Sequence, residues 1–390
     1  MPTPAVYRRR RLAVALAIVG VVLLILVLRS CGEDGAFPRI TAEQARDAEL
    51  AAEPVELTLS FTGDLLMHSP VYGRALALGG GSEYDFAPLF AELRPYVEEP
   101  DLAFCHVEVP MTPAPPSSYP IFNTPPELAD AIAATGWDAC DTASNHTLDQ
   151  GEDGVAETLK ALDRAGVRHT GSATSAREQR RPLILQSDGA RVALLAYTSE
   201  TNGIPLPQPY SVNLIDRERI LADARRARRA GADAVIVNLH WSLEYTPEYV
   251  TEPSAKQQEL VEALVRSRDI TAVVGQGPHV VQPIEGVRGK TVVFSEGNLI
   301  SNQGADTGLA AESQDGYVAL LDLVVDGEGA RVTGARYVPT WVDHSDYRVL
   351  PVGPALEAGQ ADPASLEASY DRTVGVVGRR PASPEPERLP

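Results

Sequence analysis

The chain has 390 residues, 44% of them apolar and 22% charged, which excludes an intrinsically disordered protein and predicts a real core in one large or two ordinary domains. Its formal net charge is −19, and because residues 1–29 hold five basic and no acidic residues, the remainder sets 29 basic against 53 acidic, a balance of −24. So acidic a body argues against a nucleic-acid partner, since phosphate binding needs a basic surface.

Residues 12–28, LAVALAIVGVVLLILVL, are uncharged and long enough, at the short end, to cross a bilayer as a helix. Arg8, Arg9, Arg10 and Arg11 precede them, so residues 1–30 are predicted to form a single-pass anchor in the cell membrane, with the N-terminus cytoplasmic and the main domain extracellular. Two alternatives stand beside this: a cleaved signal peptide, and a lipoprotein carrying lipid on Cys31. Arg29 is a poor neighbour for either processing site. Residues 31–54 mix charge, Pro and Ala and read as a stalk.

From Glu56 onward, short β-type runs alternate with amphipathic helical ones. Strands are predicted over 56–61, 101–109, 137–142, 192–197, 234–239 and 271–274, and helices over 86–98, 127–134, 151–165, 216–230 and 254–268. This is the rhythm of an α/β sheet protein. After Val280 the helices stop, and 280–286, 290–295, 316–325 and 330–338 read as strands of a second sheet or an antiparallel edge. Residues 351–390, ending PASPEPERLP, read as a Pro-rich flexible tail. Cys105 and Cys140 read as two separate buried thiols, with a disulfide as the alternative.

In α/β sheets functional groups gather where an apolar strand stops. Five such places carry polar residues: Gly63-Asp64; His106-Val107-Glu108, with the His and Glu on one side by alternation; Ser144-Asn145-His146, with Asp149 behind; His240-Trp241 with Glu244; and Gln276-Gly277-Pro278-His279. Singly each has a bland reading, Asp149 as a helix start and Trp241 as packing. Together they supply carboxylates, an amide oxygen and imidazoles, the donors of a divalent-metal hydrolase, and four of the seven histidines fall at predicted strand ends.

The runs FTGDLLMH, TASNHTLDQGEDG, VNLHWSLEY, GQGPHVVQ and FSEGNLISNQ, in this order and spacing, resemble the motifs of the CapA family of poly-γ-glutamate capsule synthesis proteins over about residues 55–342. The resemblance implies a calcineurin-like metallophosphatase domain over 55–350, a four-layer α/β sandwich of two β-sheets flanked by helices. It implies one or two divalent ions, manganese, zinc or similar, held by Asp64, Glu108, Asn145, His240 and His279. Catalysis falls to Asp64 and to His146 as general acid. His106, Trp241, Glu244, Gln276 and Asn298 form the expected substrate-binding set. Two positions depart from the family pattern, His106 replacing an Asn and Gln276 a His; relative to the wider metallophosphatases Leu66 also stands where a His is usual, and His106 offers a partial replacement.

The implied partners are an anionic capsule polymer or another γ-glutamyl or phosphoester substrate, the membrane through the N-terminal helix, and other capsule-synthesis membrane proteins. The rival reading is a non-catalytic assembly factor that binds the polymer in a degenerate hydrolase groove. A body at −24 repels a polyanion unless a metal or a local Arg cluster reverses the potential. Arginines cluster at 177–181 and at 225–229; a solvated helix face accounts for the second.

Overall fold

A computed structural model of the chain describes residues 53–378. The predicted anchor, Cys31 and all but the end of the stalk lie outside the described residues, and among the described residues no helix is long and apolar enough to cross a membrane.

The strands are β1 (Val55–Leu65), β2 (Leu102–Val107), β3 (Ala139–Asp141), β4 (Arg168–Thr170), β5 (Leu183–Ser187), β6 (Ala190–Thr198), β7 (Ala234–His240), β8 (Ala272–Gln276), β9 (Val281–Val287), β10 (Lys290–Glu296), β11 (Asn298–Ile300), β12 (Asp315–Asp326), β13 (Gly329–Asp343) and β14 (Arg348–Pro351). One sheet runs β14-β13-β12-β1-β2-β3-β4, with β11 also pairing β1; the other runs β5-β6-β7-β8-β10-β9. The helices are α1 (Ser69–Leu78), α2 (Arg94–Glu98), α3 (Glu127–Thr135), α4 (Gly151–Ala165), α5 (Ala176–Gln179), α6 (Arg217–Arg229), α7 (Ala255–Val265), α8 (Val352–Ala358) and α9 (Pro363–Val377).

Strand alternation explains why the two sheets stack. On β2, Leu102 and Phe104 face the other sheet while Ala103, Cys105 and Val107 face α1, α3 and α4; on β7, Ala234 and Ile236 face inward while Val235, Val237 and Leu239 meet α6 and α7. The result is helix, sheet, sheet, helix. The late strands are shared between the sheets: β9 and β10 extend the smaller one, and β12 to β14 cross to the larger.

Three expectations change. Residues 86–98 form a 3₁₀ helix, Ala87–Leu93, followed by the short α2, because Pro88 and Pro95 each open a new helical start and remove a backbone donor. Residues 352–377 are not a loose tail: α9 starts at Asp362, whose carboxylate accepts from Ser365 N at 3.0 Å, and Leu366 is buried with Trp341, Leu350 and Ala355. Cys105 and Cys140 occupy one register position of β2 and β3 and are disulfide-bonded rather than separate thiols.

One irregularity aims the site. The β1–β2 register steps from Phe61↔Phe104 to Asp64↔His106, so β1 carries one extra residue and Asp64 turns to the inner face that simple alternation would deny it. Gly63 makes this bulge feasible: a Cβ there would lie 2.0 Å from the Gly297 carbonyl oxygen. Gly63→Ala should therefore destabilise the fold by about 1–3 kcal/mol through overpacking against backbone. Urea unfolding checks this; an unchanged midpoint would mean that the bulge relaxes freely.

Candidate metal centre

The inner faces of five strands end in polar residues at one end of the sandwich. After the apolar inner residues come Asp64 on β1, His106 on β2 with Glu108 just past its end, Asp141 on β3, Asn238 and His240 on β7, and Gln276 on β8. Asp64, His106, Glu108, Asp141 and His240 are all essentially inaccessible to water. A buried ionised group is costly unless it is paired, so such a cluster demands compensating charge.

Two ligand triads share Asp64: Asp64, His106 and His240 in one, and Asp64, Glu108 and His279 in the other, each with donor atoms within 4.8 Å of one another. His240 Nδ1 lies 3.0 Å from His106 Nε2, and His240 Nε2 lies 2.9 Å from Asn145 Oδ1. His279 Nδ1 sits 3.1 Å from Asp64 Oδ2 and 3.0 Å from Asn298 Oδ1, and its Nε2 sits 3.9 Å from Glu108 Oε1. His279 has φ 61°, in the left-handed region, after Gly277 (φ +107°), where a Cβ would meet the Trp241 carbonyl oxygen at 2.0 Å.

Asp64 Oδ1 and both oxygens of Glu108 are buried with no hydrogen-bond partner. Burial and then the neighbouring Asp64 push Glu108 up to about 7. Burial opposes a charge on His279, but Glu108 and Asp64 outweigh it and raise the ring to about 10. His106 likewise resists burial through Asp141, Asp64 and Glu108 and rises to about 9. His240 is held well below its ordinary value by burial and then by His106, His279 and His146. Orphaned carboxylate oxygens facing imidazole nitrogens form a donor set that fits a divalent cation.

Sequence reasoning missed the layer beneath. Asp141 Oδ1 lies 2.8 Å from His106 Nδ1, leaving Nε2 for the cluster, while its Oδ2 accepts from Asn238 Nδ2 and from Gln276 Nε2 at 3.4 Å. This is the carboxylate–imidazole arrangement that fixes ring orientation at metal sites. Its signal was a charged residue ending a buried strand, between Cys140 and Thr142. Asp149 is no helix cap: its Oδ2 sits 2.7 Å from His146 Nδ1 and accepts from Phe122 N at 2.7 Å.

Beside the cluster opens a cavity of about 480 Å³, lined by His146 and His279 together with Leu66, His68, Phe122 and Tyr249. Tyr119, Glu248 and Asn302 also stand in its wall. The substrate-binding set reads differently against this geometry. His106, Gln276 and Asn298 lie under the floor rather than in the wall, and Asn298 orients His279 while donating to Gln303 Oε1 at 3.0 Å and Ser313 O at 2.9 Å. Trp241 is fully buried with the α6–α7 core, its Nε1 donating to Phe294 O at 2.8 Å. Glu244 is exposed and absent from the wall, where Glu248 stands instead. Leu66 contributes an apolar surface to the same wall.

Comparison with known proteins gives a consistent picture. Residues 58–303 match the family described as "Bacterial capsule synthesis protein PGA_cap". The capsule biosynthesis protein CapA of Bacillus anthracis is 26% identical over 289 residues, covering 70% of this chain and 67% of its own. The PGA biosynthesis protein CapA of Bacillus subtilis is 24% identical over 257 residues, 64% of each chain. A probable polyglutamine synthesis accessory protein of Mycobacterium tuberculosis is 27% identical over 196 residues, 45% of this chain and 48% of its own. The chain thus spans about two thirds or less of these relatives' lengths. Among solved structures, a novel phosphatase from Mycoplasma pneumoniae superposes with TM-score 0.47 at 12% identity, covering 80% of this chain and 100% of that one. A calcineurin-like phosphoesterase from Bacillus subtilis gives 0.43 at 12%, covering 83% and 98%. Both scores are low, so the fold description rests on the chain's own sheets and helices.

Two outcomes follow from this geometry. Asp141→Asn should weaken metal affinity by about 10- to 100-fold with the fold intact, as measured by chelator competition alongside circular dichroism. Protons compete with a metal for Glu108, so affinity should climb as pH rises through about 7. Equal affinities at about pH 6 and about pH 8 would exclude Glu108 as a ligand.

Proposed function

The chain belongs to the bacterial capsule synthesis family PGA_cap, and from that premise we propose that it serves poly-γ-glutamate capsule synthesis or export as a metal-dependent hydrolase of the metallophosphatase type. Its substrate is a γ-glutamyl or phosphoester bond. The observation that carries this is the pair of triads sharing Asp64, with the orphaned oxygens of Asp64 and Glu108 between them.

Asp64, His106 and His240 would hold one ion, and Asp64, Glu108 and His279 a second, with Asn145 Oδ1 at the edge of the first. A divalent ion held by these residues would supply Lewis acidity for hydrolysis. The chain supplies the rest. Asp149 holds His146 by Nδ1, which leaves Nε2 on the cavity side to protonate the leaving amine or alkoxide. Phe122 stands edge-on to the His146 ring at 4.7 Å and Leu66 fills the adjoining wall, keeping water from that nitrogen.

The placement of the enzyme follows the same reading: an anchor over residues 12–28, a cytoplasmic Arg cluster, and the described domain outside the cell beside other capsule-synthesis membrane proteins. Leu66, an apolar residue in the cavity wall, favours one second reading, a polymer-binding factor that captures the chain without cleaving it.

Turnover separates the two. His146→Ala should keep the metal and lose about 10²- to 10⁴-fold in cleavage of a γ-glutamyl peptide or a model phosphoester. His240→Ala with His279→Ala should lose the metal itself, read by elemental analysis. Metal-dependent binding with no turnover in the unmutated protein would select the capture reading.

A further inference from the structure

The arginine cluster at 177–181 takes no part in the metal centre, yet it borders a cavity of its own. Where β4 at the edge of one sheet approaches β5 at the edge of the other, a hollow of about 260 Å³ is walled by Arg168, His169 and Arg181 together with Asp163 and Glu178. The two carboxylates in that wall are engaged. Asp163 pairs with His169 at 3.3 Å, and Glu178 Oε2 accepts from Thr174 N and Thr174 Oγ1 at 2.8 Å each.

The guanidiniums are not engaged. Arg168, Arg177, Arg180 and Arg181 are exposed, and none has a side-chain hydrogen bond or ion pair among the described residues. Elsewhere on the domain, Arg94, Arg217, Arg226, Arg266, Arg331 and Arg372 each meet a carboxylate. Arg168 and Arg181 line the hollow, and Arg177 and Arg180 stand within four residues of Arg181 in the sequence, so in a chain with so large an acidic excess uncommitted guanidiniums are left here for a planar, bidentate partner.

We propose that this hollow binds the free α-carboxylates of the γ-glutamyl polymer, as an anchoring site separate from the metal centre. The polymer's identity rests on the function proposed above; the site itself rests on the uncommitted arginines. β4 neighbours β3, and Ser172 Oγ in the hollow's wall lies 2.7 Å from Thr142 Oγ1, one residue beyond Asp141. The hollow is thus one strand removed from the strand that carries Asp141. A membrane headgroup is a poorer occupant. Tyr119, Ile121, Leu243, Val250 and Leu309 are the exposed large apolar side chains among the described residues, and none belongs to this hollow.

The test uses the full chain in detergent and fluorescein-labelled poly-γ-glutamate, with affinity read by anisotropy. Arg168→Ala with Arg181→Ala should weaken binding by about tenfold or more. Arg225→Ala with Arg229→Ala removes the same charge from the exposed face of α6 and should change affinity by less than about twofold. Equal losses in both pairs, or none in the first, overturn the site. So does a loss confined to phosphatidylserine vesicles while polymer binding persists. Metal-dependent turnover in the same preparations keeps the two readings apart. Arginine-dependent binding without turnover retains the anchor and removes the hydrolase; turnover with arginine-independent binding does the reverse.

Discussion

Two carboxylates held out of water beside each other dominate the architecture of this domain. Asp64 and Glu108 are fully buried, and three of their four oxygens receive no hydrogen bond. Removing such charges from water costs several kcal/mol per ion even after relaxation, and an interior position gives no solvent screening. The imidazoles answer part of that demand, and the rise of His279 and His106 to about 10 and about 9 measures how strongly the carboxylates call for positive charge. A fold that tolerates this must be stiff elsewhere, and the apolar layer between the sheets provides the stiffness.

Period-two alternation then decides which residues meet. On β2, β3, β7 and β8 the last apolar side chain between the sheets is followed, two residues later, by a polar one at the same face, so the core and the site are successive storeys of one stack. Asp64 joins only because β1 gains a residue at Gly63, and a regular strand would have turned that carboxylate towards α1. The geometry of the centre therefore depends on a backbone irregularity and on the absence of a side chain.

Much of this was legible in the sequence, because apolar runs ending in Asp, His or Asn stand out wherever they occur. Helix α4 was predicted over 151–165, and α6 within a residue at either end, since their apolar spacing is sharp. Asp141, Asp149 and the Cys105–Cys140 pair were hidden for a different reason. Their roles depend on register between strands and on loops folding back, which no local pattern encodes. Tyr119, Glu248 and Tyr249 come from loops without periodicity. The C-terminal helices were masked by Pro and Ala, although Asp362-Pro363 is itself a helix-start signature.

The last helix has a bearing on how the domain can be divided. Arg372 on α9 grips Asp315 through two bonds of 2.6 and 2.8 Å, and Asp315 is a fully buried residue at the start of β12. The neighbouring Gly316 bridges to Gly297, the residue whose carbonyl receives Asp64 N and whose successor, Asn298, positions His279. A polypeptide ending at residue 350 would leave Asp315 buried without its guanidinium, at a cost of about 3–5 kcal/mol. The minimal folding unit therefore extends through α9, whose Arg372 holds the start of the strand that lies beside the metal centre.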